Sequence, residues 1–232
     1  MGLVWDGTLQ AFQLLLAGDP EVWRITLLSL QISGGATLLS LVVGVPCGTA
    51  LALARFPGRG FIISLVNTGM GLPPVVVGLF VTILLWRNGA FGALELLYTP
   101  TAMVLAQFVI AMPIVTGLTL AAIQQVPEGF RLQMLGLGAS RIQMVVVLLR
   151  EARLPMLAAV MAGFGGIISE IGASMMVGGN IKGQTRTLTT AMVLETGKGN
   201  FDVAIALSLL LLVLIFLVNW ALTTIQQRRA PG

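Results

Sequence analysis

Residues 25–54 read ITLLSLQISGGATLLSLVVGVPCGTALALA, thirty positions without a charge between Arg24 and Arg55. A helix crossing a hydrocarbon core of about 30 Å needs about 20 mostly apolar residues. This run therefore holds one complete crossing within residues 25–53. Working outward, Arg59 and Arg87 bracket a second charge-free run, with a crossing at 61–85, and Glu95 and Glu128 bracket a third, at 101–123. Residues 124–154 break the pattern with Glu128, Arg131, Arg141, Arg150, Glu151 and Arg153. A fourth apolar run, 155–177, is interrupted only by Glu170. A polar, glycine-rich stretch (178–202) follows, and a fifth run, 203–225, ends before Arg228 and Arg229. The expected fold is all-α, a polytopic membrane protein with about five transmembrane helices.

Composition agrees. Of 232 residues, 56% are hydrophobic and 9% charged, with a mean hydropathy of +0.96. A soluble domain carries roughly a quarter charged residues, so this chain cannot cover a water-facing surface. The absence of histidine removes histidine general bases and histidine metal ligands. Cys47, the single cysteine, lies between Pro46 and Gly48 and reads as a small packing residue.

The first twenty residues contain Asp6 and Asp19 but no Lys or Arg, the opposite of a basic signal-peptide start. Leu9, Phe12, Leu15 and Leu16 fall at helical spacing over too few residues to span, so segment 1–24 is expected to hold an interfacial helix. Trp23 is then an aromatic anchor at the entry of the first span. With the N-terminus outside, Arg55, Arg59, Arg131, Arg141, Arg150, Arg153, Arg228 and Arg229 fall inside. Only Arg24, Arg87, Lys182, Arg186 and Lys198 fall outside. Eight against five favours a cytoplasmic C-terminus and a short inner tail, 228–232, under the positive-inside rule. The net charge of +4 thus speaks to topology, and no nucleic-acid partner is expected.

Chemistry in such a chain concentrates where the spans are interrupted. Pro73 and Pro74 in GLPPVVVG, Pro46 in the first span and Pro113 in the third each free a backbone carbonyl, which protein or a water cavity must satisfy. Discontinuous helices of that kind line transport paths; an ordinary kink in a packed bundle is the plain alternative. Gly44 and Gly48 form a small-xxx-small pair. In the fourth span Gly166, Glu170, Ser174 and Gly178 recur every four residues and would share a helical face. A carboxylate at that depth costs a few kcal/mol on insertion scales. Glu170 is therefore expected either to act in a gate with Ser174 or to be solvated or hydrogen-bonded locally. Residues 134–157, MLGLGASRIQMVVVLLREARLPML, carry a close-approach turn at Gly136, Gly138, Ala139 and Ser140, followed by Arg141. The apolar run 144–149 must be covered by a partner protein or by the inner ends of the spans.

These residues resemble the cytoplasmic coupling loop (about 124–154) of permeases from binding-protein-dependent ABC importers. Gly138 matches the motif glycine and Leu154-Pro155 its terminal pair, whereas the acidic and two alanine positions read Leu132, Gln133 and Met134. Residues 168–207 are similar to oxyanion permeases of the molybdate and sulfate type, through Ser169–Ala173, Gly179-Asn180-Ile181 and Thr187-Leu188. Thr185–Ala191 and Leu194–Thr196 look like the tungstate branch.

The resemblance implies a type I importer permease fold over residues 25–227, working as two copies. No internal repeat is visible, and a path needs walls on both sides. It implies no catalysis in this chain: there is no Gly-x4-Gly-Lys-Ser/Thr loop, and neither Lys182 nor Lys198 precedes Ser or Thr. ATP and Mg would sit on a separate ABC ATPase that docks at Gly136, Gly138, Ala139, Ser140 and Arg141. An extracytoplasmic oxyanion-binding protein would deliver the cargo at 179–202, where Asn180, Thr185, Arg186 and Thr189 supply donors and positive charge. A purely structural gate there is the competing reading. The expected home is a bacterial or archaeal cytoplasmic membrane. The expected cargo is tungstate, with molybdate, sulfate or another small solute as alternatives within the same class. A gradient-driven carrier or channel and an intramembrane enzyme are the alternatives from other classes.

Overall fold

The computed structural model describes residue 9 and residues 20–227. The expected interfacial helix at 8–17 and the tail at 228–232 therefore lie outside the described residues, apart from Leu9. Three helices are individually long and apolar enough to cross a membrane: α1 (Pro20–Leu53), α4 (Pro100–Gln124) and α10 (Phe201–Gln227). Two further crossings are broken. α2 (Arg59–Met70) and α3 (Pro74–Leu85) meet at 100°, and α7 (Arg153–Ile168) and α8 (Gly172–Gly178) meet at 58°. Counting each bent pair as one span, the described residues give the five spans expected from the charge pattern. Between the third and fourth spans, α5 (Glu128–Gly136) and α6 (Arg141–Glu151) form a helical hairpin, and α9 (Leu188–Gly197) lies between the last two spans.

α1 starts at Pro20, five residues before the expected entry. Its early charges have partners: Glu21 pairs with Lys182 at 2.7 Å and Arg186 at 3.6 Å, and the Arg24 guanidinium donates to the Gly183 carbonyl. Trp23 is half exposed beside them, as an interfacial anchor would be. Neither Pro46 nor Pro113 breaks its helix. The chain is interrupted instead at Pro73, which caps α3 with Pro74 in its first turn, and at Ser169–Ile171.

α4 is the hub, packed by α1, α2, α3, α7 and α8. Thr99 starts it by accepting the amide of Ala102 at 3.3 Å, with Pro100 in the first turn, where its missing N–H costs nothing. The Gly44-xxx-Gly48 pair is the contact with α1. A Cβ on Gly48 would stand 2.5 Å from the Thr116 carbonyl oxygen, so the two backbones meet almost without side chains between them. Most hydroxyls buried in this seam are satisfied locally: Thr37 donates to Ser33 O, Ser40 to Ala36 O and Thr116 to Met112 O, all at 2.7–2.8 Å, whereas the buried Thr119 hydroxyl has no partner among the described residues. That back-bonding is how Ser and Thr lie in an apolar helix without stranding a donor. The outer faces carry exposed large apolar side chains, among them Leu38, Val42, Leu212 and Phe216, the inverse of a soluble surface and suited to lipid.

Candidate functional site: a broken-helix gate and a glycine-turn hairpin

Glu170 sits in the break between α7 and α8, at 6% exposure. Its Oε1 accepts the Ala173 amide at 2.7 Å, and its Oε2 accepts both the Ser174 amide at 3.1 Å and the Ser174 hydroxyl at 3.2 Å. Those amides open α8 and have no partner within the helix. The carboxylate thus caps α8 from just outside it, with the negative charge against the positive end of the helix dipole. Gln107 of α4 extends the network by donating to Ser174 Oγ at 3.4 Å, and the Thr189 hydroxyl donates to the Glu170 carbonyl at 3.3 Å.

The four-residue stripe expected on one face is therefore divided. Glu170, Ser174 and Gly178 are buried, but Gly166 is exposed, because the helix turns by 58° between them. Of the two readings of Glu170, the local hydrogen bonding is present, and it sits on an element that could gate.

α8 leans on α3, the half-helix opened by Pro73 and Pro74. A Cβ on Gly78 would lie 2.7 Å from the Ala173 Cα, and one on Gly172 would lie 2.6 Å from Val75 Cγ2. The two bent pairs thus touch through their C-terminal halves, and a displacement of one cannot leave the other in place.

The loop after α8 is a threonine-built brace. Thr185 is fully buried; it donates to the Gly178 carbonyl and accepts the Ile181 amide at 3.0 Å. Thr187 caps α9 in a reciprocal box with Thr190, and Thr189 lies within 3.1 Å of Thr187. The Leu188 amide donates to Ser29 of α1 at 2.9 Å. Asn180 takes a positive φ of 51° and donates to the Thr190 carbonyl at 3.3 Å. Arg186 faces Glu21. The polar atoms of Thr185 and Thr189 are thus engaged inside the protomer, and Lys182 and Arg186 share one carboxylate. Further along, Glu195 is held below its ordinary carboxylate pKa by hydrogen bonds from Asn200 first and Lys198 second, each at 2.7 Å.

At the opposite end of the bundle, α5 closes on a glycine turn. Gly138 has φ +79°; its amide donates to Leu135 O and that of Ala139 to Met134 O, both at 3.0 Å. This paired closure requires a left-handed residue, which glycine adopts without a Cβ clash. Ser140 then starts α6 in a capping box with Gln143: Ser140 Oγ accepts the Gln143 amide and Gln143 Oε1 accepts the Ser140 amide. Gly136, Gly138, Ser140 and Arg141 are exposed and Ala139 is half-buried.

The apolar run 144–149 is covered only in part from within the chain, since Val146 stays 41% exposed. Leu148 is fully buried among Ala122, Ile123, Val126 and Ala152, with Met144 and Leu149 packed alongside. Besides Val146, the rim of the turn stays uncovered: Leu132, Leu135, Leu137 and Ile142 are 63%, 49%, 75% and 78% exposed. Sequence reasoning missed these four, together with Gln143 and Gln107. The Ser140-x-x-Gln143 spacing marks a capping box, and Gln107 is an isolated amide in an apolar span.

The described residues thus form up to five apolar spans, with a glycine-turn hairpin between the third and fourth and two bent helix pairs in contact. The chain belongs to the family of binding-protein-dependent transport system inner membrane components, whose family model matches residues 44–231. A probable anion ABC transporter permease of Haloferax volcanii is 41% identical over 213 residues, covering 90% of this chain and 91% of that one. The tungstate uptake system permease TupB of Peptoclostridium acidaminophilum is 36% identical over 229 residues, covering 98% and 100%. Among solved structures, the inward-facing methionine ABC transporter MetNI superposes with a TM-score of 0.74 over 91% of this chain and 95% of that one, at 22% identity. The fold is that of type I ABC importer permeases.

Proposed function

We propose that this chain is the permease subunit of an ATP-driven importer that moves tungstate inward. It works as a pair of identical copies with two ABC ATPase subunits below and an oxyanion-binding protein above. The observation that carries the reading is the hairpin tip. Four large apolar side chains stand exposed around a rigid glycine turn, on a polar segment with an arginine excess. An apolar patch of this kind outside the bilayer needs a partner protein. That partner is the ATPase, which holds the ATP and Mg this chain has no loop to bind; the permease itself hydrolyses nothing. The N-terminus is outside and the C-terminus cytoplasmic, which puts the hairpin on the ATPase side and the threonine-braced loop on the binding-protein side.

The mechanism follows from the contacts. Closure of the ATPase pair moves the hairpin as a body, since both of its helix ends are locked by hydrogen bonds. α6 passes the motion to the inner ends of α1 and α4 through Leu148 and Ala52. The α3–α8 contact then opens or closes on the far side, held in its resting form by Glu170. Coupling is rigid-body displacement of packed elements. The relatives named for tungstate and anion uptake supply the cargo class.

Reconstitution of the chain with its ATPase and binding protein in proteoliposomes tests the cargo. Radiolabelled tungstate is expected to accumulate and to resist a hundredfold excess of sulfate. Uptake that sulfate abolishes, or that occurs only with another solute, overturns the tungstate assignment.

A further inference from the structure

α2 is the only element of the membrane bundle, among those described, without a buried residue. It meets α4 along one face: a Cβ on Gly69 would lie 2.8 Å from Pro113 Cβ, and one on Gly117 would lie 2.6 Å from Met70 Sδ. Pro113 is the middle of the 25-residue α4, so this contact sets the C-terminal turn of α2 near the bilayer midplane. At about 100° per residue, Ser64 and Thr68 lie opposite Val66, Gly69 and Met70, and Asn67 lies on the flank between the two faces, beside Ser64. All three polar residues are exposed, and at that depth lipid offers them nothing.

Thr68 spends its hydrogen on the Ser64 carbonyl at 2.8 Å, a local back-bond. Asn67 has no hydrogen-bond partner among the described residues, although an amide carries two donors and an acceptor. Immediately beyond it the helix stops, and Gly71, Leu72 and Pro73 run exposed through the 100° break at the same depth. Irregular backbone and a free amide at one membrane level need a water-filled cavity or a polar guest. The next residues, Val75 and Gly78, are those that touch α8. The polar patch therefore stands at the foot of the two elements that move. It is also uncharged: residues 60–86 contain no ionisable side chain. Neutral donors replace part of an anion's hydration without trapping it, as conduction through a constriction requires.

We infer that Asn67, flanked by Ser64 and Thr68 and contributed by each copy, is the midplane station at which the translocated oxyanion is hydrogen-bonded as it passes the α2–α3 break. This deepens the proposed function and rests on it for the identity of the anion.

The test uses the assembled importer in proteoliposomes, in a Cys47→Ala background, with Asn67→Cys and separately Thr68→Cys as reporters. Anionic sulfonatoethyl methanethiosulfonate is expected to label both positions, and tungstate cycling with ATP is expected to slow labelling at 67 at least threefold. Asn67→Asp, which sets a carboxylate against the dianion, is expected to lower tungstate uptake tenfold or more while the ATPase still co-purifies. Asn67→Gln should retain at least a third of uptake. Two cysteines at 67 that join spontaneously across the copies and resist the anionic reagent would make this face a seam between copies and overturn the inference. So would Asn67→Asp with normal uptake. Failure of the unmutated complex to take up tungstate is a separate result, which strikes the proposed cargo itself.

Discussion

Replacing Glu170 by alanine removes the acceptor of three buried donors at once, the amides of Ala173 and Ser174 and the Ser174 hydroxyl. A buried donor left without a partner costs about 1–3 kcal/mol. Three such donors would give a sum well above the worth of a single cap, but relaxation of α8 into its neighbours recovers part of it. A net loss of about 3 kcal/mol is therefore expected for Glu170→Ala. Glu170→Gln keeps one acceptor oxygen and turns an amide donor toward a backbone N–H, so it should fall between, at about 1–2 kcal/mol. Thermal unfolding of the purified complex, followed by tryptophan fluorescence in detergent, gives the order wild type, Gln, Ala. ATP hydrolysis measured in parallel should lose its dependence on the loaded binding protein in Glu170→Ala, because α8 no longer holds the resting gate. Equal melting of all three proteins, with uptake lost equally in both variants, would refute the capping role. That pattern would make the carboxylate a charge that faces the path.

Gly48→Leu should prevent recovery of folded protein, since even the first carbon would stand 2.5 Å from a backbone carbonyl. Gly34→Leu in the same helix, where a Cβ meets nothing within 4 Å, should express normally in size-exclusion profiles. Gly138→Ala should weaken ATPase co-purification and Gly138→Arg abolish coupled uptake, because a side chain at φ +79° costs about 1–2 kcal/mol and obstructs the exposed turn. Truncating Leu137 and Ile142 together to serine should release the ATPase without changing the melting temperature of the isolated permease. The depressed pKa of Glu195 means that its clamp on Asn200 and Lys198 contributes fully at neutral pH and fades as pH falls through the carboxylate range. Asn200→Ala should move that loss to higher pH, read as the pH midpoint of hydrogen exchange in α9.

Much of this was legible because charge and apolar periodicity act locally. The brackets Arg24–Arg55, Arg59–Arg87 and Glu95–Glu128 mark their spans to within a few residues, and the Gly44–Gly48 seam follows from its spacing. Proline was a poorer guide. Pro73 and Pro74 break the second span, but Pro46 and Pro113 lie inside unbroken helices, so a proline in an apolar run does not by itself mark a stop. The break at Glu170 was hidden for another reason. A capping carboxylate and a mid-helix carboxylate look alike until the donors of α8 are positioned around it. Thr185 and Thr189 read as cargo donors from their chemistry, yet burial makes them, with Thr187 and Thr190, a brace. Exposure of the rim leucines around Gly138 depends on tertiary packing, and no local signal carried it.

The central claim is that an ATPase drives this gate through the hairpin, and the most direct measurement is tungstate uptake together with ATP hydrolysis in one proteoliposome preparation. The vesicles would contain permease, ATPase and binding protein, with Gly138→Arg permease in a matched set. The account predicts accumulation that requires ATP and all three components and disappears in the variant, with hydrolysis no longer tied to transport. Accumulation driven by an ion gradient without ATPase, or undiminished in Gly138→Arg, would contradict it.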